Sequence, residues 1–323
     1  MLHRVLLAIA GLLVLLTLTS STYCSISPEK VAFANSVGIV AMNFNARTAY
    51  ANDVVNSWKN RRRLFVGVIR ESAPDILAIQ EANEEQLSDI QDALPCFEVI
   101  TGGSGNQMYG SPVLLVRKDR FYVRSSKRIS FSPTPCVPDS RGWGNEMPRS
   151  FTVAYLWDKL KQRRLIAVSL HLDHISNLAR KKSIEQLVSW LKASADSPII
   201  VMGDFNADAG SKLLRPLVAP SYAASRSRNP LLDAFYAYSG KNPSTYNAFG
   251  HKVTEGRIDL ILTSPDWGIS DANIDTTHEV SLYPSDHYSV VVKLFWDRDP
   301  SLWVERNHRP PNTETTVSRQ VIP

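Results

Sequence analysis

The sequence predicts one mixed α/β domain built on two layers of sheet, and three observations carry that reading. Short apolar runs, such as ILAIQ at 76–80, IIVM at 199–202 and RIDLIL at 257–262, have the length of strands buried on both faces. Amphipathic stretches of helical spacing lie between several of them, as crossovers between strands require. No linker and no repeat of solenoid length divides residues 37–295. The 44% apolar content supplies ample core. A single α/β domain of about 250 residues is ordinary.

The two ends read differently from this body. Residues 1–4 carry a charge, 5–18 are almost wholly apolar, and 19–25 are small and polar apart from Tyr23. That is the layout of a secretory signal, and an uncleaved N-terminal anchor is the alternative. Either one places the protein outside the cytoplasm, secreted or held at a membrane. Residues 297–323 are polar and Pro-rich, a composition expected of a disordered tail. Removing residues 1–24 takes away one arginine and no acid, so a formal charge of +5 becomes +4. A mild basic excess suits a polyanionic substrate without establishing one. An oxidising compartment permits a disulfide between Cys96 and Cys136; two unpaired buried thiols are the other reading.

Taken in order, 37–43 (VGIVAMN) is a first strand ending at Phe44-Asn45-Ala46. Residues 54–71 are helical, with Trp58, Leu64, Phe65, Val68 and Ile69 inward. Their Arg61-Arg62-Arg63 triplet reads as a solvated face or as a phosphate contact. ILAIQ is a second strand, followed by Glu81 and a polar helix over 84–94. The Gly-rich loop 101–110 lacks the spacing and lysine of a phosphate-binding P-loop, so it is read as a connection. Strands follow at 112–117, 123–131, 150–157 and 165–170, with a Pro/Gly-rich connection over 132–148. Residues 175–195 form a helix with Leu178, Ile184, Leu187, Val188 and Leu191 inward. IIVM then stops at Gly203 and delivers Asp204, Phe205 and Asn206. Residues 211–217 and 231–238 are short helical or irregular pieces, and 257–262 and 289–295 are the last strands.

Several of these strands end in one kind of chemistry. They supply Asn45, Glu81, His171-Leu172-Asp173-His174, Asp204, Asn206, Asp259, and Asp286 with His287. Each has a plain alternative: Asp and Asn cap turns readily, and Glu81 could serve a helix start. Gathered at one sheet edge, they match what metal-assisted phosphoryl chemistry requires. A hard cation, Mg²⁺ with Mn²⁺ as substitute, takes oxygen ligands, which Asn45 and Glu81 offer. Asp204 suits the carboxylate that holds and deprotonates the attacking water. Asn206, His171 and His287 suit the donors that stabilise charge growing on phosphate, with Asp259 fixing the His287 tautomer. His171 and His174, three apart, would suit zinc on a helix, but they fall at a strand end with no third soft ligand.

The ordered set MNFN, PDILAIQE, HLDH, GDFN, GRIDLIL and YPSDH resembles the endonuclease/exonuclease/phosphatase superfamily, the DNase I-like fold. The resemblance spans about residues 37–295 and implies a four-layer α/β sandwich with its site at one edge of two packed sheets. By match to the family motifs, it implies Asn45 and Glu81 at a divalent metal, with Asp286 as a further ligand. It also implies His171 and Asn206 on the phosphate, Asp204 at the water, and Asp259 orienting His287. Gly142-Trp143-Gly144, Pro148-Arg149, HLDH and Ala179-Arg180 resemble a bacterial-type branch, some members of which act on sugar phosphates. The loop before the fourth strand departs from the signature of many members, reading Met108-Tyr109-Gly110-Ser111, which leaves a role for Tyr109 open. No leucine-rich or zinc-finger extension accompanies the domain.

The expected activity is therefore metal-dependent hydrolysis of a phosphoester by attack of water on phosphorus. Basic charge and an extracytoplasmic address lean it towards phosphodiester, nuclease-like substrates, nucleic acid included. A phosphomonoesterase on sugar or inositol phosphates is the close alternative. A catalytically inactive binding module is the distant one, disfavoured because no polar position of the constellation is replaced. No protein partner is expected, and the chain reads as a monomer.

Overall fold

The computed structural model describes residues 38–103, 106–194, 197–219, 231–253 and 256–296. The N-terminal apolar segment and the C-terminal polar stretch lie outside that range. Within it run β1 (Gly38–Asn45), α1 (Trp58–Ser72), β2 (Ile76–Gln80), α2 (Glu84–Ala93), β3 (Phe97–Ile100), β4 (Val113–Arg117), β5 (Phe121–Ser130) and β6 (Ser150–Asp158). They are followed by β7 (Arg163–His171), α3 (Asn177–Ala193), β8 (Ile199–Asp204), β9 (Leu232–Asp233), α4 (Ala234–Ser239), β10 (Asp259–Thr263), β11 (Trp267–Asp275) and β12 (Ser289–Trp296).

These strands form two six-stranded sheets, ordered β11-β12-β1-β2-β4-β3 and β5-β6-β7-β8-β10-β9. Each sheet has one parallel pair, β1 with β2 and β7 with β8, and the other pairings are antiparallel. A parallel pair needs a crossover, and α1 and α3 supply the two. The sheets pack face to face through Ile39, Ala41, Ile76 and Leu114 on one and Leu156, Ala167, Ile200 and Met202 on the other. The opposite face of the first sheet is sealed by α1 and α2 through Phe44, Phe65, Ile69 and Leu87. That of the second is sealed by α3 through Phe151, Val168, Ile184 and Leu187. The result is helix, sheet, sheet, helix: the four-layer sandwich. Gly203 sits where β8 presses on β7, and a Cβ there would lie 2.3 Å from the Leu170 carbonyl oxygen. No helix among the described residues is long and apolar enough to cross a membrane.

Several details differ from the sequence reading. The helical stretch from residue 54 breaks at Ser57 into a short 3-10 turn, Val54–Asn56, and α1 proper. Leu178, expected inward, is 56% exposed, because the stripe of α3 that meets the sheet runs through Ala179, Ser183, Ile184, Leu187 and Leu191. The strands β3 and β11 were not anticipated, and the piece beginning at residue 231 opens as the two-residue strand β9 before turning helical. Cys96 and Cys136 are not joined to each other. Cys96 is disulfide-bonded, whereas Cys136 is a free, exposed thiol. The Cys96 carbonyl meets Lys118 before β5 starts, and Pro135 meets Ser130 where β5 ends, so the length of β5 separates them. Ten residues of strand, about 30 Å, exceed any disulfide span.

Candidate active site

Both parallel pairs point their carboxyl ends the same way, and ligands of open α/β sheets sit beyond such ends. Asn45 closes β1, Glu81 follows β2, His171 closes β7 and Asp204 closes β8, with Asp259 opposite Asp204 across the β8–β10 ladder. His287 and Asp286 arrive just before β12. The residues expected from the sequence therefore meet around a single pocket of about 610 Å³, except that Asn45 and Asp259 stand directly behind its lining.

Asp204 is at the centre. Its Oδ1 accepts from the Asn206 backbone N–H (2.8 Å) and its Oδ2 from Asn45 Nδ2 (3.1 Å). His171 Nε2 lies 3.4 Å and His287 Nε2 3.9 Å from that same Oδ2. Burial, with the charge of Asp259 behind it, pushes the Asp204 carboxyl up to about 7, although His287 pulls against the shift. A carboxylate poised near neutrality can take a proton from water at working pH.

His287 has the opposite environment. Burial would lower it, but Asp259 Oδ2 at 2.8 Å from Nδ1 and the neighbouring acids hold its pKa well above the ordinary value. Asp259 is itself fixed: its Oδ1 accepts from Asn43 Nδ2 (3.2 Å) and its backbone N–H donates to Thr245 Oγ1 (3.1 Å). With Nδ1 committed, Nε2–H of a charged His287 faces the pocket. His171 stays neutral, pushed well below its ordinary value by burial and by Arg149. Arg149 Nη1 reaches His171 Nδ1 at 2.8 Å. The same Nη1 lies 3.1 Å from His171 Nε2, which in turn stands 3.4 Å from Asp204 Oδ2, so the guanidinium sits against both ring nitrogens and opposes a charge on the ring.

Glu81 takes the left-handed conformation at φ 64°, a position uncommon for a side-chain-bearing residue. Its backbone N–H donates to the Gly110 carbonyl at 3.0 Å. Gly110 is required there, since a Cβ would lie 2.6 Å from the Glu81 Cα. So held, Glu81 Oε1 accepts from Asn45 Nδ2 (3.1 Å) and Oε2 from the Thr48 backbone N–H (3.2 Å). Two carboxylates, half-buried Glu81 and buried Asp204, thus converge on a single neutral amide group. That oxygen-rich arrangement fits a hard cation, which would relieve the burial cost on both. Rotation of the Asn45 amide would present its oxygen to the cation in place of its nitrogen. Ligand atoms of Glu81, His171 and Asp204 lie within 4.8 Å of one another, as do those of Asp204, Asp259 and His287. Asp286 joins neither group: it faces Arg47 Nε at 3.6 Å and His287 Nε2 at 4.0 Å.

Three contributors have no role assigned from the sequence, although Arg149 stands in a stretch noted there. Arg149, 9% exposed, also reaches His174 Nδ1 from Nη2 at 3.0 Å. Arg47 lines the pocket, tied to Asp53. Tyr246 packs edge-on against the His287 ring with centroids 5.1 Å apart. Tyr109 lies on the pocket rim and is 38% exposed. The arginine triplet of α1 does not reach the pocket. Arg61 is fully buried and donates to the carbonyls of Asn56, Ala46, Pro284 and Arg47. Arg62 pairs with Asp89 and Arg63 with Glu279.

Comparison with known proteins fits this geometry. Residues 42–287 match the model of the Endonuclease/Exonuclease/phosphatase family. The chain belongs to that family. Its members are phosphoester hydrolases that generally work with a divalent metal, and the two packed sheets described above are their DNase I-like sandwich. An uncharacterised protein of Acanthamoeba polyphaga mimivirus is 30% identical over 165 residues, 48% of this chain and 61% of that relative. The chain thus spans less than two thirds of the relative's length. Among solved structures, an endonuclease/exonuclease/phosphatase from Bacteroides vulgatus superposes with a TM-score of 0.72 at 23% identity, covering 80% of this chain and 99% of the other. The mannosyl-6-phosphatase of Bacteroides thetaiotaomicron gives 0.70 at 27% identity, covering 80% and 100%. D. rerio TDP2 complexed with a single-strand DNA product gives 0.62 at 16%, covering 80% and 98%.

Proposed function

We propose that this protein is a Mg²⁺-dependent phosphomonoesterase whose substrate is a small polyhydroxylated phosphate such as a sugar phosphate. One observation carries the choice of monoester: the site is a pocket of about 610 Å³ with Arg149 and Arg47 in its lining. That volume suits a small ligand. The arginines of α1, one support of a nuclease reading, are spent on carbonyls and surface acids. The mannosyl-6-phosphatase at 27% identity supports the same choice.

In this reading Arg149, His171 and Asn206 seat the phosphate. Asp204 holds the attacking water and takes its proton as the oxygen bonds to phosphorus and the ester P–O bond breaks. His287, kept protonated by Asp259, donates from Nε2 to the charge that builds on phosphate. Glu81 and Asn45 hold the cation, with Asp286 beside them, and the bound ion supplies charge neutralisation and polarisation of a phosphoryl oxygen. Tyr50, Tyr109 and Tyr246 stand where they can meet the remainder of the substrate.

A phosphodiester reading keeps one observation in its favour. Tyr50 is 66% and Met108 52% exposed at the rim, where a base could stack. The full chain with Mg²⁺ or Mn²⁺, assayed against sugar monophosphates, inositol phosphates, bis(p-nitrophenyl) phosphate, DNA and RNA, separates the two. We expect a sugar monophosphate to lead in kcat/KM, EDTA to abolish turnover, and Asp204→Ala to lower kcat about 10²–10⁴-fold. Faster cleavage of DNA or RNA than of any monoester would overturn the substrate assignment. An Asp204→Ala protein as active as the parent would overturn the mechanism.

A further inference from the structure

The end of the sandwich opposite the pocket has a surface of its own. β5 and β6 run from Phe121 and Asp158 at that end to Ser130 and Ser150 at the site end, and β7 runs from Arg163 there to His171. Nine-residue strands put about 26 Å between the two ends. Two turns make this surface, one between β4 and β5 and one between β6 and β7. They are pinned together, since the Lys159 backbone N–H donates to the Arg120 carbonyl (2.9 Å) and Lys159 Nζ to the Lys118 carbonyl (2.6 Å).

Its chemistry is cationic, aromatic and, at one point, apolar. Lys159 Nζ sits 4.0 Å over the Tyr122 ring, and the Arg124 and Arg163 guanidiniums sit 5.5 Å over Trp157 and Trp296. Tyr122 is 58% exposed, and Arg163 and Arg164 are open to solvent. Leu160, at the tip of the β6–β7 hairpin, is 45% exposed between two lysines. The acids of the two turns do not offset this charge: Asp119 is spent on Arg117, and Asp158 is buried against Arg120. Aromatic rings under cationic heads, around an exposed leucine, match the layered polarity of a bilayer's headgroup region. The chain enters β1 at this same end, because the Val40 N–H donates to Asp75 Oδ2, which also accepts from Arg120. The apolar run at residues 5–18 ends nineteen residues (19–37) before that entry.

We propose that this end docks on a bilayer bearing anionic headgroups, with Leu160 dipping into the interface and the pocket facing away from the membrane. The docking is independent of which phosphoester the pocket takes.

The full chain carrying Cys136→Ser and Leu160→Cys, labelled at position 160 with an environment-sensitive dye, tests this against phosphatidylcholine vesicles with and without phosphatidylglycerol. The parent labelled at its own Cys136, near the pocket end, is the reference. Expected are a blue shift and at least a twofold rise in emission at position 160 with anionic vesicles, and no change at 136. Each basic residue near an anionic surface is worth about fivefold in partitioning, so Arg163→Gln with Arg164→Gln should weaken the response about 25-fold. Hydrolysis of a soluble substrate should be unaffected by that pair. Equal response to neutral vesicles, no response at position 160, or a response to single-stranded DNA in place of vesicles would each overturn the proposal.

Discussion

Asp204 is stored at a cost. Its carboxyl lies near 7 in place of the usual carboxylate range because burial and Asp259 oppose its charge. A raised folded-state pKa means the native protein binds this proton more tightly than the unfolded chain. Stability from that proton is present at low pH and is lost as pH rises from about 4 to about 7. Asp204→Asn removes the liability while keeping the shape. In EDTA it should raise stability at pH 8 by an amount on the order of 3 kcal/mol, with little gain at pH 4, even as hydrolysis fails. Thermal melts of parent and variant at the two pH values measure this, and an equal melting shift at both would refute the account. Added Mg²⁺ should shrink the difference, because the cation relieves the same charge. His287 slopes the same way for another reason. Asp259 holds its pKa well above 6.5, so the stability of that pair is full below 6.5 and fades as pH rises through the folded value.

At the scale of elements, the site depends on how strands stop. Gly110 occupies a left-handed turn with φ 61°, and its missing side chain leaves room for the Glu81 backbone. Gly110→Ala should displace Glu81 and raise the Mg²⁺ concentration for half-maximal activity about 10–100-fold, as loss of ligand support does. A metal titration unchanged by that substitution would remove Glu81 from the cation. What could be read from the sequence at this scale follows from burial. ILAIQ and IIVM are apolar because both faces are covered, and a polar residue at the end of such a run is conspicuous, so Asn45, Glu81 and Asp204 stood out. The edge strand FEVI buries only its two end residues, and WGISDANID carries polar residues on an open face. Neither has the apolar signature, and only partner strands reveal them. Arg149 stood in a noted stretch without a role, because a buried arginine is written with the same letter as a solvated one. Its role depends on His171 and His174, twenty-odd residues away in the chain. Arg61 was misleading for the same reason. Its donors are taken by carbonyls as distant as Pro284.

At the scale of the whole molecule, the two sheets are clamped at the far end by ions as well as by core. Arg120, in the turn between β4 and β5, donates to Asp75 Oδ2 at 2.8 Å beside the first sheet and to Asp158 Oδ2 at 3.2 Å on the second. All three are buried, and burial raises the Asp75 pKa although Arg120 pulls it back. Arg120→Met alone should cost about 3–5 kcal/mol by stranding two buried acids. Adding Asp75→Asn and Asp158→Asn should recover part of that, and urea denaturation of the single and triple variants checks both expectations. The route of the chain through the sheets has a further consequence. The second sheet is one continuous stretch, from β5 to β10, whereas the first begins with β1 and is completed only by β11 and β12. During synthesis β1 therefore waits, with one edge bare, until nearly the last strand has left the ribosome, and His287 arrives with that strand. A nascent chain stalled before residue 289 should hold a formed second sheet beside an exposed β1 edge, a hazard for aggregation that places this protein's need for chaperones at the end of its translation.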